Sequence, residues 1–403
     1  MNSLQYKVSR WTNNLLFVVA FTLPLIPRFQ LSFLILMLIL FFLNKQRQGN
    51  YPQVTGNWPA ILMISFYLYH IVGLLWTDNI RTALLDLQIK LPLLILPLTI
   101  YYGKQIEKSV RFKVCSFFVY GIEAAIYFCL VRAIYFYMHG NSSYFLYKEF
   151  SFFIHPGYFS MFVCFGTVII LQRVLTNSHM VNFMVAMHWY RIFLFTGAIV
   201  LLSSKAGIFI QILIFAVAFV IALRKRHSTN IRNYGLPAML AALVLYFGLF
   251  SPLTSLRMNE MEETLSHSET AEVHSSAMRL QAWQSSIEII EAHPLKGAGT
   301  GDAKSYLLER YDANGFIENY KRKLNSHNQF LQTAVALGIP CLILLGSIFI
   351  FGLYESIITK NWLFLMFLLV TGANFMVEAM LEVTAGTLYF ALFYVLLSDE
   401  DRN

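Results

Sequence analysis

Apolar residues in this chain arrive in long runs almost free of charge, parted by short polar connections. The runs lie at about Asn14–Ile26, Phe29–Leu43, Trp58–Trp76, Leu91–Tyr102, Val114–Met138, His155–Leu175, Val181–Leu202, Ala206–Leu223, Gly235–Phe250, Phe330–Tyr354, Asn361–Val377 and Gly386–Leu397. A segment apolar on every face needs lipid or a large core around it, and about 20 such residues cross a bilayer as a helix. Overall 57% of the 403 residues are hydrophobic and 13% charged, against about 25% charged in soluble domains. The expected fold is an all-α polytopic membrane protein with about twelve transmembrane helices. The first and fourth runs are short for a straight span, and the fourth carries Pro92 and Pro97.

The net charge of +8 does not point to nucleic acid, because the basic residues sit in short clusters between apolar runs. With a cytoplasmic N-terminus, the inner segments hold Lys7, Arg10, Lys45, Arg47, Lys104, Lys108, Arg111, Lys113, Arg173, Arg191, Arg224, Lys225, Arg226, Arg232, Lys360 and Arg402. The short outer connections hold Arg28, Arg81, Lys90, Lys148 and Lys205. That asymmetry is the positive-inside pattern. The first run follows Lys7 and Arg10 without a small-residue cleavage site and reads as a retained span. Cys115, Cys129, Cys164 and Cys341 fall in or beside spans, which argues against a disulfide framework.

Two features set the organisation. Between Arg191 and Arg224 one apolar stretch is interrupted only at Ser203-Ser204-Lys205-Ala206-Gly207. Two helices with a tight outer turn keep the basic clusters on one side and Lys205 out of hydrocarbon, where a charge costs several kcal/mol. The second feature is a polar segment from about Pro252 to Asn328. It divides the chain into transmembrane helices 1–9 (1–251), a long periplasmic loop with short helices (252–326), and helices 10–12 with a cytoplasmic tail (327–403). In the loop, Ala277–Ala292 reads as an amphipathic helix with Met278, Trp283, Ile287 and Ile290 on its apolar side, ended by His293-Pro294. Another short helix is expected around Lys304–Tyr311.

Several residues carry chemical potential. His327 opens a span, and a cap at Asn325 or Ser326 would place its ring in the first helical turn. The helix dipole there favours neutral imidazole, which suits a general base or a positioner of an acceptor hydroxyl. Its ordinary role would be an interfacial histidine beside a cap. Lys205 and Arg279 are cations suited to a pyrophosphate; a snorkelling lysine and a solvated arginine are the plain alternatives. Trp283, four residues after Arg279, suits packing better than sugar stacking. Glu378 and Glu382, one turn apart near the end of the eleventh span, could meet sugar hydroxyls or neutralise Lys205 and Arg279, ion pairing being the simpler role. Lys90 and Arg81 are further candidates on a lipid-phosphate path. His155, before Pro156-Gly157, reads as a helix-start residue. Glu123 and Arg132 share a helix half a turn out of phase, so each needs a partner elsewhere. The Gly297-Ala298-Gly299-Thr300-Gly301-Asp302 stretch lacks GK[ST] and reads as a turn folding the loop helix back on the membrane. No carboxylate or histidine set on the outer face has metal-binding spacing, Asp399-Glu400-Asp401 being on the tail. No metal or cofactor is expected.

Together, Ser203-Ser204-Lys205-Ala206-Gly207, Arg279-x-x-x-Trp283 leading to Pro294-x-x-Gly297-x-Gly299-x-Gly301, and His327-Asn328-x-x-Leu331 running to Gly338 resemble the O-antigen ligase and O-antigen polymerase superfamily. The resemblance implies a bacterial inner-membrane glycosyltransferase with its site facing the periplasm. Such an enzyme transfers a glycan from undecaprenyl pyrophosphate to an acceptor hydroxyl, with inversion and without metal. It implies that Lys205 and Arg279 hold the pyrophosphate, that His327 activates or orients the acceptor, and that Asn328 belongs to the substrate-binding motif. The family often has arginine at the position of Lys205. Its members differ in acceptor: lipid A-core for a ligase, a second glycan for a polymerase, or a protein. The implied partners are the lipid-linked glycan donor, one of those acceptors and membrane lipids. Lipid A-core is the expected acceptor.

A transporter is the rival of another class. It calls for helices broken at mid-membrane and ionisable groups along a central path. Here the polar candidates gather at span ends and in one loop. A purely structural membrane protein leaves the loop without a role.

Overall fold

The computed structural model of the protein describes residues 3–26, 30–45, 58–101, 107–176, 181–224 and 275–398. The expected ninth span at Gly235–Phe250, the opening of the long loop at 252–274, Lys225, Arg226, Arg232 and Asp399-Glu400-Asp401 lie outside the described residues. The described chain forms α1 (Ser3–Thr22), α2 (Gln30–Lys45), α3 (Trp58–Val72), α4 (Ile80–Lys90), α5 (Pro92–Tyr101), α6 (Lys108–Met138), α7 (Tyr147–Phe150) and α8 (Pro156–Thr176). It continues with α9 (Asn182–Leu202), α10 (Lys205–Arg224), α11 (Ser275–Ala292), α12 (Ala303–Ala313), α13 (Ile317–Lys321), α14 (Gln329–Ile358), α15 (Trp362–Phe375) and α16 (Thr384–Ser398). No strand occurs among the described residues. Six helical segments there are long and apolar enough to cross a membrane: Trp58–Trp76, Ile80–Ile100, Lys108–Met138, Pro156–Thr176, Asn182–Leu202 and Gln329–Ile358. This is an all-α membrane protein.

Contacts divide the chain into two compact units, one of Met1–Val19, Pro27–Val114 and Val273–Asn403, the other of Ala20–Ile26 and Cys115–Glu272. In the second unit α8 is buried from Phe159 through Leu171 and packs against both α9 and α10. Residues 203–207 do make a turn between two helices. α9 ends at Leu202, Ser203 takes the left-handed conformation at φ 47°, and α10 begins at Lys205. Ser204 Oγ accepts from Gly207 N at 3.2 Å and from Ser160 Oγ at 3.1 Å. Glycine is required at 207, since a Cβ there would stand 2.8 Å from the Ser160 side chain. The out-of-phase charges on α6 find separate partners as expected. Arg191 Nε meets Glu123 at 2.7 Å, while Arg132 donates to Glu149 O and lies over the Tyr144 and Phe152 rings. His155 Nδ1 accepts from Gly157 N at 3.3 Å at the start of α8.

In the first unit α16 is buried on every side from Leu388 to Leu397. Phe330 and Phe349 of α14 meet Phe375 of α15, and Phe390 of α16 joins them, all at ring separations near 6 Å or less. Tyr394 reaches across to donate to Ile348 O at 2.7 Å.

Two expectations are corrected here. The fourth span does not begin at Leu91. Asn79 caps α4 by accepting from Thr82 N, and the helical run continues across Leu91, itself in αR, to give Ile80–Ile100. Pro92 is tolerated because it falls at the first position of α5, where an N–H is not needed. Lys90 therefore lies inside a span and not in a connection. It is 2% exposed and is paired with Asp86 on its own helix and with Glu382 at 3.1 Å. The tenth span is broken: Leu337 and Gly338 leave helical geometry within α14.

Candidate active site

The long loop is tied down by its own backbone at that break. Ala298 N donates to Val335 O and Gly299 N to Ala336 O, both at 2.8 Å, and Ile339 N donates to Pro294 O at 2.8 Å. Groups freed by the interrupted helix are thus satisfied by the loop segment that follows α11, as buried backbone requires. The fit demands glycine on both sides: a Cβ on Gly297 (φ 65°) would stand 2.6 Å from Ala336 C and O, and one on Gly338 (φ 73°) 2.6 Å from Leu295 C and O. The Asp302 carboxylate accepts from Asp78 N at 2.7 Å and Asn79 N at 3.0 Å, and Thr300 Oγ1 donates to His70 O at 2.7 Å. The amides of Gly297, Ala298, Gly299 and Asp302 all donate within the protein. The glycine-rich stretch is therefore a turn, docked on the α14 break, and these four amides are not free to cradle a phosphate.

α11 rises from this anchor with its buried face at Met278, Ala282, Ser285, Ser286 and Ile289. The expected apolar side is right only at Met278: Trp283 and Ile290 are half-buried and Ile287 is 47% exposed. Small residues win that face because it packs closely on its neighbours. Ser286 Oγ donates to Ser326 Oγ at 2.9 Å, and Asn319 Nδ2 to Met278 O at 2.8 Å. Asn314 Nδ2 reaches Glu288 at 2.9 Å. The helix expected near Lys304–Tyr311 is α12; α13 carried no clear signal in so short a stretch. Buried Tyr311 has its phenol pKa pushed up by loss of water, a hydrogen bond with Asn319 acting the other way. Its hydroxyl stays neutral and braces the loop.

The turn that carries His327 is unusual. The histidine has φ 44°, and α14 is capped by Asn328, whose Oδ1 accepts from Phe330 N and Leu331 N. This corrects the expected cap at Asn325 or Ser326: His327 stands before the cap, outside the first helical turn, so the helix-dipole argument loses its geometry. Asn325 Oδ1 accepts instead from His327 N at 3.0 Å, and Ser326 donates from N and Oγ to Gln332 Oε1. These bonds hold a left-handed residue whose conformation costs on the order of 1–3 kcal/mol. Asn328 also donates to Met376 O at 3.1 Å, so its amide works at both ends on backbone.

The turn aims His327 at Glu378. Nδ1 lies 3.1 Å from Glu378 Oε2, and Arg279 Nη2 lies 2.7 Å from Oε1 of the same carboxylate. Glu378 is 9% exposed, His327 22% and Arg279 29%. A carboxylate only accepts, so the neutral ring carries its proton on Nδ1 and presents Nε2 as a lone pair. Arg279 Nε and Trp283 Nε1 are buried without a hydrogen-bond partner among the described residues. Glu378 and Glu382 are not successive turns of a span. α15 ends at Phe375; Glu378 sits in the connection and Glu382 in a 3-10 turn, Met380–Glu382. Glu382 serves Lys90, while Arg81 is exposed in the first turn of α4. Lys205 belongs to the second unit, exposed at the start of α10.

Sequence reading named His327, Arg279 and Glu378 but not the carboxylate's place between the other two. It also missed Asp302 as an anchor, and Asp86 as a partner of Lys90 despite its i,i+4 spacing.

Residues 192–346 match a family model described as O-Antigen ligase. The match encloses Lys205, Arg279, Trp283, His327 and Asn328; Glu378 lies beyond it. No curated protein matches the chain. Over that stretch the chain is similar to the O-antigen ligase family, whose members are glycosyltransferase-type enzymes acting on lipid-linked glycans.

Proposed function

We propose that this chain is a member of the O-antigen ligase superfamily and transfers a glycan from undecaprenyl pyrophosphate to an acceptor hydroxyl, with lipid A-core as the acceptor. The site faces the periplasm of a bacterial inner-membrane protein with about twelve spans, 252–326 being the outer loop. The observation that carries the reading is the carboxylate of Glu378 shared between Arg279 and His327.

The acceptor oxygen attacks the anomeric carbon from the face opposite the leaving group. The bond from that carbon to the pyrophosphate oxygen breaks, the configuration inverts, and the acceptor proton passes to His327 Nε2. Glu378 holds the ring and balances the imidazolium that forms, as a carboxylate does for a histidine base. Arg279 stabilises charge gathering on the departing pyrophosphate. Its partnerless Nε, with Trp283 Nε1 one turn on, supports a ligand in that place, since an unused buried donor costs about 1–3 kcal/mol. Lys205 is proposed as a phosphate-binding cation on the strength of the family resemblance.

A transporter reading would claim the break in α14. That break is closed by the Pro294–Gly299 backbone, which argues for rigidity and against a moving half-helix. The test is transfer by purified protein from a lipid-linked donor, offered lipid A-core, a second donor molecule or a peptide in turn. Consumption of lipid A-core supports the ligase; either other acceptor assigns the polymerase or protein-glycosylating branch. Transfer to none of them removes the reading.

A further inference from the structure

The connection between α15 and α16 carries two carboxylates that are gripped from different sides. Glu378 faces Arg279 and His327, while Glu382, four residues on, accepts from Lys90 Nζ at 3.1 Å. Lys90 also donates to Asp86, one turn earlier on α4. Between the two carboxylates, Leu381 N donates to Gln329 Oε1 at 2.6 Å, and Thr387 Oγ1 donates to Leu381 O at 3.1 Å. Glu378 N is held to Asn374 O at 2.9 Å at the end of α15, and beyond it these long-range bonds join the local turn bonds in fixing the connection. Lys90 is 2% exposed and its ammonium already has two carboxylate acceptors. A lysine reading a ligand's phosphate would need an open approach; this one faces the protein.

Resting on the transferase reading, we propose that Lys90 is a positioning residue. With Asp86 it fixes Glu382, and through Glu382 it holds the connection in the register that turns Glu378 toward His327 and Arg279 together. An ammonium suits this task because a buried charge must keep its partners, whereas an apolar contact could slide. Glu382 is 25% exposed. Without Lys90 its carboxylate turns to water and the connection loses the tether at its Glu382 end.

The experiment measures kcat and donor KM for purified full-length protein with an undecaprenyl-pyrophosphate glycan. It compares Lys90→Met, Lys90→Arg, Glu382→Gln and the Lys90→Met/Glu382→Gln pair, with His327→Ala as control. Misplacing a catalytic group from a distance costs up to about a hundredfold. Lys90→Met and Glu382→Gln are each expected to lower kcat about ten- to a hundredfold, with donor KM within about twofold of the unaltered protein. The double variant does no worse than the weaker single, because both changes cut one tether. Lys90→Arg restores most of kcat. A rise in donor KM with kcat kept would make Lys90 a ligand contact and overturn the proposal, as would near-normal kcat in Lys90→Met. Should Lys90→Met fail to accumulate, Glu382→Gln, which preserves side-chain size, carries the same test. If His327→Ala is fully active the transferase mechanism fails; if it is inactive while Lys90→Met and Glu382→Gln work normally, only the positioning role fails.

Discussion

His327 and Glu378 meet through Nδ1 and Oε2 at 3.1 Å, and this pairing decides which ring nitrogen is left to act. The same carboxylate binds Arg279 through its other oxygen at 2.7 Å, so the proposed base and the proposed phosphate-binding cation are placed by a single side chain. Glu378→Gln keeps the shape but removes the negative charge. Loss of an orienting carboxylate beside a histidine base is expected to lower kcat by about 10²- to 10⁴-fold. Initial-rate assays on matched amounts of protein check this, and normal kcat in Glu378→Gln would remove the carboxylate from the mechanism.

Arg279→Ala is expected to abolish glycan transfer while the protein still inserts and accumulates. Arg279→Lys keeps a charge but loses the planar fork, so it falls between the two. Donor binding and turnover, measured separately, show whether the loss lies in the ground state or the transition state.

Lys205→Arg is expected to keep activity if the charge grips phosphate, since arginine offers at least as many donors. Lys205→Ala loses most of it. An alanine variant with full turnover would leave Lys205 as an exposed residue at a helix start.

Gly338→Ala tests the loop anchor and not the chemistry. Its φ of 73° and a Cβ placed 2.6 Å from Leu295 backbone atoms combine strain with overlap. A loss of at least about 2 kcal/mol is expected, visible as a lower Tm in detergent. An unchanged Tm would mean that the α14 break and the Pro294–Gly299 segment are not locked together.

Much of the architecture is legible in the linear order of residues. Apolar runs mark most spans, the Ser203–Gly207 interruption marks a turn, and Arg279–Trp283 marks a helix in the loop. Charges inside spans are harder. Lys90 reads as a boundary until Asp86 and Glu382 supply its partners, and Glu382 is 292 residues away. The cap of α14 was ambiguous for a different reason: Asn325, Ser326 and Asn328 are all good cap formers, and only the left-handed His327 decides among them. Glu378 was visible as a carboxylate but not as a bridge, because its two partners lie 99 and 51 residues off in the chain. Local pattern carries helices well and carries such convergences poorly.

Glycan transfer from an undecaprenyl-pyrophosphate donor, followed with the purified protein and its His327→Ala variant side by side, tests the central claim most directly. The unaltered protein is expected to form glycosylated acceptor and release undecaprenyl pyrophosphate, and the variant to form neither at a detectable rate. Equal product from both proteins would contradict the assignment of His327 as the group that takes the acceptor's proton.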